Sequence, residues 1–328
     1  MSSLAIVDFS LDRFRPNSRN RLWLEVQAGL LEPLRIPALV ARGTNDGPTL
    51  LVIAGVHGDE YEGMEAIRLV FDGLDPSAMH GSFIGVPIAN PYAYDARSRN
   101  LPGFVDGLNL ARVFPGDPHA SPGRSLAHAL LAFVQANVTS SDLLVDFHSG
   151  SADVQFAALT GFRDIPNPSA PTSEEAARHF GSGALWRIPD SPGPLNAEAS
   201  RLGIPTIGTE TTGRAGCRPE DVDNYVNGLG NLLRWLGIID GSAPPRNPEL
   251  ARRTRNVNAP ITGFFRHRRL LHERVTAGET LGWLIDPFGE PIETVSAPVS
   301  GELWAVRAMP PVRTGELLFM IATDPDSA

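Results

Sequence analysis

The chain predicts an α/β protein: a mixed sheet flanked by helices, followed by a smaller all-β domain. Between about residues 50 and 236, apolar runs of strand length alternate with stretches of helical periodicity. The segment Gly241-Ser242-Ala243-Pro244-Pro245-Arg246-Asn247-Pro248 is a linker by composition. Beyond it, short strand-like runs punctuated by glycine replace the alternation. The expected division is residues 1–240 as the larger domain, 241–255 as linker and 256–328 as the β-rich module.

In order, Arg21–Val26 and Arg35–Val40 read as strands. Pro37 confines the second to a sheet edge, because proline cannot donate to a ladder. After the turn Gly43–Pro48 comes a buried strand over Leu50–Ala54, ending in Gly55-Val56-His57-Gly58-Asp59-Glu60, and Tyr61–Phe71 then has helical spacing. Phe83–Pro87 is a strand ending at Asn90-Pro91. Tyr92–Gly123, dense in Gly, Pro, Asn and Arg, is a long loop, and such a loop inside a compact domain is usually functional. Ser125–Val138 is helical, and Leu143-Leu144-Val145 leads into Asp146-Phe147-His148. Val154–Leu159 and Ala184–Ile188 read as strands, with a short helix after Ser173 between them. Ala197–Leu202 is helical, Ile204–Glu210 a strand and Pro219–Leu236 an amphipathic helix stopped by Gly237. This alternation implies a mostly parallel or mixed sheet covered on both faces. In the module, Val275–Gly282 is echoed by Val312–Leu318 on either side of Ala297–Gly301.

The 328 residues are 42% hydrophobic and 20% charged, ordinary values for a globular protein. No apolar run approaches the ~20 residues that span a bilayer, and Met1–Phe9 lacks the features of a signal peptide. The one cysteine, Cys217, fits a reducing cytoplasm. A net charge of −9 without a long basic run argues against nucleic acid as a partner. All 28 cationic residues are arginine, so no lysine is present to act as nucleophile or to carry biotin or lipoate. Arginine still grips carboxylates.

His57 and Glu60, three residues apart on a tight turn, can reach one metal ion, with Gly55 and Gly58 permitting the bend. The turn follows a buried strand, where open α/β sheets bind ligands. His148, at a second strand end, completes a His/Glu/His set that suits one zinc per chain with a position open for water. Asp146 shares the face of His148 on a regular strand and can orient it. The other histidines lack metal spacing.

These residues also carry a resemblance. His57-Gly58-Asp59-Glu60, Asn90-Pro91-Tyr92-Ala93, Asn109 to Gly116, Asp146-Phe147-His148 and Pro205 to Glu210 follow one another as in the succinylglutamate desuccinylase/aspartoacylase family, a branch of the zinc carboxypeptidase superfamily. The resemblance implies a zinc-carboxypeptidase-like fold and a zinc-dependent deacylase of N-acyl amino acids. It makes Glu210 the general base and proton donor, Arg99 the oxyanion partner and Arg112 the binder of the substrate carboxylate. The sequence departs from the family where its Asn-Arg pair becomes Ala111-Arg112, for which Asn109 is the expected substitute. No counterpart appears for the arginine that reads a second substrate carboxylate, nor for a tyrosine from the C-terminal module. A carboxypeptidase-like peptide hydrolase and a non-catalytic assembly protein on the same scaffold stand as alternatives. The module is similar to the barrel-sandwich of lipoyl and biotin carrier domains, here without lysine, which suggests a cap over the site or a contact between subunits of a homo-oligomer.

Overall fold

The computed structural model describes residues 2–29 and 32–324. Ten strands precede the linker: β1 (Ser2–Ala5), β2 (Ser18–Val26), β3 (Leu34–Arg42), β4 (Asn45–Ile53), β5 (His80–Val86), β6 (Leu143–Phe147), β7 (Val154–Phe156), β8 (Leu159–Arg163), β9 (Ala184–Ile188) and β10 (Thr206–Glu210). All but β7 form one mixed sheet of nine strands, ordered β1-β2-β3-β5-β4-β6-β10-β8-β9. The central strands β5, β4, β6 and β10 run parallel.

Side-chain alternation gives this sheet two cores. Leu51, Ile53, Ile84 and Leu144 face α3 (Pro122–Asn137) and α5 (Leu195–Arg201). Leu50, Val52, Phe83 and Val145 face α1 (Glu62–Gly73), α4 (Ala170–Phe180) and α6 (Pro219–Trp235). Burial on both faces explains the near-continuous apolar runs of the central strands. Among the described residues, no helix is long and apolar enough to cross a membrane.

Three expectations need correcting. The strand containing Pro37 is not at an edge, since β3 lies between β2 and β5. Its pairing with β5 begins only at Leu39, however, so Pro37 occupies a half paired with β2 alone, where its missing N–H leaves no ladder bond unmade. The stretch expected as one loop holds α2 (Pro91–Ala96), capped by Asn90 Oδ1 accepting from Ala93 N at 3.2 Å. Val154–Leu159 is not a single strand: β7 leaves the main sheet and β8 joins it.

The C-terminal module contains β11 (Thr254–Asn258), β12 (Gly263–His267), β13 (Arg274–Val275), β14 (Thr280–Ile285), β15 (Pro291–Ser296), β16 (Gly301–Arg307), β17 (Pro311–Val312) and β18 (Leu317–Thr323). They form two antiparallel sheets, β11-β18-β16-β13 and β15-β14-β12-β17, around Phe265, Leu284, Leu303, Phe319 and Ile321. The echo in sequence is an echo in structure. Each copy is a two-residue strand, a turn on a positive-φ glycine (Gly278, Gly315) and a longer strand. The module is joined to the rest of the chain by β7, which pairs antiparallel with β16 through Phe156↔Ala305 and Val154↔Arg307. Trp304, Ala305 and Met320 pack there on Val154, Ala157 and Leu159.

Candidate metal centre

Because β5, β4, β6 and β10 are parallel, their carboxyl ends share one edge of the sheet. The turn after β4 carries His57 and Glu60. Gly55 takes φ +67°, and a Cβ there would meet Pro87 O at 2.9 Å. A Cβ on Gly58 would fall 1.9 Å from the Ala93 carbonyl carbon, so the turn lies directly against the backbone of α2.

The structure brings together all three side chains expected as ligands. His57 Nδ1 and His148 Nδ1 are 3.2 Å apart. Glu60 lies between them, with Oε1 2.8 Å from His57 Nδ1 and Oε2 2.9 Å from His148 Nδ1. Both outward nitrogens face oxygen. Asn109 Oδ1 accepts from Ala111 N at 3.0 Å and lies 3.1 Å from His57 Nε2, so it is an acceptor and the His57 proton belongs on Nε2. His148 Nε2 is 3.4 Å from Asp146 Oδ1. Each ring thus turns Nδ1 inward and is oriented from behind.

Electrostatics separate the two rings. Burial, then Arg99, pushes His57 down to about 4, leaving a neutral ring with a free lone pair. Burial opposes charge on His148 too, but Asp146 and then Glu60 outweigh it and hold its pKa well above the usual value. Burial would raise Glu60, yet His57 and His148 keep it well below the ordinary carboxylate range. His148 and Arg99 balance the charge of Glu60, and the two Nδ1 atoms and the carboxylate converge on one buried point that a divalent cation would take in place of the His148 proton. Their donor atoms all lie within 4.8 Å of one another, and the N, N, O set is one that zinc takes. The residues fit the metal.

Glu210 ends β10, beside β6 in the parallel pair Thr209↔Phe147. Its Oε2 is buried with no hydrogen-bond partner among the described residues. Burial, then Glu60, pushes its carboxyl up to about 8. Arg99 Nη1 donates to Glu60 Oε1 at 2.8 Å, and Arg112 is exposed to solvent, its pKa lowered by the protein around it and then by Arg99. Among the described residues, Arg112 Nη1 donates only to the neighbouring Ala111 O, at 2.8 Å. Asn109, expected to meet substrate, commits Oδ1 to His57 and Ala111, while its Nδ2 makes no hydrogen bond among the described residues.

Other site residues escaped the sequence reading. Ser149 N donates to Glu60 Oε2 (3.1 Å) and its hydroxyl to Glu62 Oε2 (2.9 Å). Ser151 Oγ donates to Glu60 Oε1 at 2.7 Å, and Asp59 Oδ2 accepts from Ala152 N at 3.0 Å. Behind His148, Asn196 N donates to Asp146 Oδ2 (3.3 Å) and Arg163 Nε to Asn196 Oδ1 (2.6 Å). Tyr225 OH donates to His148 O at 2.6 Å. The only sequence signal for the serines is their place directly after His148, in His148-Ser149-Gly150-Ser151.

The chain is a mixed α/β sheet with a donor set able to hold a metal ion at its carboxyl edge. Residues 46–236 match the succinylglutamate desuccinylase/aspartoacylase catalytic domain, and the chain belongs to that family. It is 29% identical over 299 residues to the N-alpha-acetyl-L-2,4-diaminobutyric acid deacetylase of Halomonas elongata, covering 88% of this chain and 85% of that one. A solved succinylglutamate desuccinylase/aspartoacylase from Rhodobacter sphaeroides superposes with a TM-score of 0.83 at 27% identity, covering 98% of each chain. The product-bound ectoine utilization protein EutE (DoeB) of Ruegeria pomeroyi has the same fold, with a TM-score of 0.83 at 22% identity over 97% of this chain and 98% of that one.

Proposed function

We propose that this chain is a zinc-dependent deacylase that hydrolyses the amide of an N-acyl amino acid, using one zinc held by His57, Glu60 and His148. The observation that carries the reading is Glu210, whose buried Oε2 has no hydrogen-bond partner among the described residues, beside a converged His/Glu/His set. Bound zinc supplies Lewis acidity, which lowers the pKa of a water toward ~7 and polarises the scissile carbonyl. Glu210 takes the proton of the attacking water and returns it to the departing amine. In the metal-free protein burial, then Glu60, raises the Glu210 carboxyl to about 8, and a cation bound beside it would favour the carboxylate that accepts the proton. Arg99 stabilises the charge that develops on the carbonyl oxygen. Arg112, accessible to solvent, binds the substrate carboxylate, and Asn109 Nδ2 adds a second donor.

The relative from Halomonas elongata is named for an N-acetylated diamino acid with one carboxylate. The absence of a second carboxylate-reading arginine in this sequence agrees with a substrate of that kind. We therefore favour N-acetylated amino acids with a single carboxylate over N-acetylaspartate and N-succinylglutamate. The half-buried, unpaired Cys217 is consistent with a cytoplasmic setting.

The test is turnover on a panel of N-acyl amino acids and dipeptides, with zinc content measured in parallel. Glu210→Gln should retain zinc and lose at least ~100-fold in kcat, whereas His57→Ala should lose the metal. Normal hydrolysis by Glu210→Gln would remove the proposed base, and release of amino acid from dipeptides alone would make the protein a peptidase.

A further inference from the structure

Ser151 is fully buried and adopts φ +50°, a left-handed conformation that side-chain-bearing residues avoid. Glycine would be the ordinary choice there, and Gly150 precedes it. Its hydroxyl is engaged twice: Oγ accepts from Arg99 Nη1 at 2.6 Å and donates to Glu60 Oε1 at 2.7 Å. Arg99 Nη1 also donates to the same Glu60 oxygen at 2.8 Å, closing a triangle of hydroxyl, guanidinium and carboxylate. Side chains with opposite duties, a metal ligand and a partner for the substrate oxygen, are thus fixed relative to one another by one hydroxyl. Arg99 is a third exposed, so Ser151 is its anchor on the buried side.

The backbone around Ser151 is tied down from several directions. Ser151 O accepts from Ala215 N at 3.0 Å, Ala152 N is held by Asp59, and Asp153 O accepts from Ala308 N at 2.8 Å and Met309 N at 3.1 Å. β7 then pairs with β16. This bracing, half of it from the C-terminal module, holds a left-handed serine in place. Strain persists where surrounding structure over-determines a conformation, and such places cluster at functional sites.

We propose that Ser151 is a positioning residue for the reaction, holding the Glu60 carboxylate and the Arg99 guanidinium in register through its hydroxyl. The proposal rests on the deacylase reading for its effect on turnover, but its effect on metal binding stands independently. Ser151→Gly separates the hydroxyl from the backbone, because glycine accepts φ +50° without strain. If Ser151 served only the turn, Ser151→Gly would bind zinc and turn over as the wild type does, and only Ser151→Ala would suffer. If the hydroxyl is what counts, both variants lose it alike. We expect Ser151→Gly to melt at or above the wild-type temperature, to bind zinc at least ~10-fold more weakly in competition with a chelator, and to lose at least ~10-fold in kcat with little change in KM. Ser151→Ala should show the same two losses at a lower melting temperature, and Ser151→Cys, whose thiol is a poor hydrogen-bonding substitute, should not restore them. Wild-type zinc affinity and kcat in Ser151→Gly would overturn the proposal. Lowered zinc affinity in a protein whose wild type hydrolyses no N-acyl amino acid would leave Ser151 as a metal-site residue and defeat the deacylase reading instead.

Discussion

The two histidines of the site come from equivalent places, the ends of neighbouring parallel strands, yet they are tuned in opposite directions. His57 is backed by a neutral carboxamide on a long loop and is pushed down to about 4. His148 is backed by the buried carboxylate of Asp146, itself held by the start of α5, and is pushed well up. The same ring with the same nitrogen inward becomes a weaker or a stronger electron donor according to the charge behind it. Backbone support differs as well. Tyr225 clasps the carbonyl of His148 and stacks on Phe147 at 4.3 Å, whereas His57 relies on Gly58 pressed against α2.

The largest effect should come from the charged partner. Asp146→Asn is expected to weaken zinc binding by ~10–100-fold in a chelator competition, and Asn109→Ala to weaken it by less than Asp146→Asn does. Equal losses would mean that orientation alone matters and that the contrast in charge is irrelevant.

A second test uses the carboxylate on the His148 side. In the metal-free protein Glu210 has a folded-state pKa of about 8, above its ordinary value of 4.5. The folded state therefore binds more protons than the unfolded chain between those values, and stability should fall as pH rises through that window. The Glu210 contribution approaches about 1 kcal/mol per pH unit, and Glu210→Gln should flatten that part of the profile in denaturant titrations of the metal-free protein. An unchanged slope in the variant would show that Glu210 is ionised in the folded protein.

The smallest effect belongs to the backbone clasp. Tyr225→Phe should cost about 1 kcal/mol of stability and lower zinc affinity less than Asp146→Asn does. A larger loss of metal than of stability would make the clasp a determinant of the site rather than of the fold.

Much of this was legible in the sequence wherever a residue's role follows from local pattern. His57, Glu60, His148 and Glu210 each end a run that reads as a buried strand, and parallel neighbours bring such ends together whatever the details of packing. The N-cap and proline of Asn90-Pro91 signalled α2 and could have divided the long loop. Ser149, Ser151, Asp59 and Glu62 were not legible, because short polar side chains near a turn acquire a role only from what lies opposite. Asn109 shows the same limit: its segment pointed to the site, but the atom it aims at, His57 Nε2, is set by tertiary placement. The position of β3 and the departure of β7 to another sheet depend on pairings with strands 46 and 149 residues away, Leu39↔Gly85 and Phe156↔Ala305, which no window of sequence contains.

The pairing of β7 with β16 also bears on how the enzyme is made. Every donor atom of the centre is encoded before residue 211, but the strand that steadies the segment behind His148 is not translated until residues 301–307. A nascent chain thus holds His57, Glu60 and His148 long before it holds their brace, and the site is not fully supported until residues 301–307 have been made.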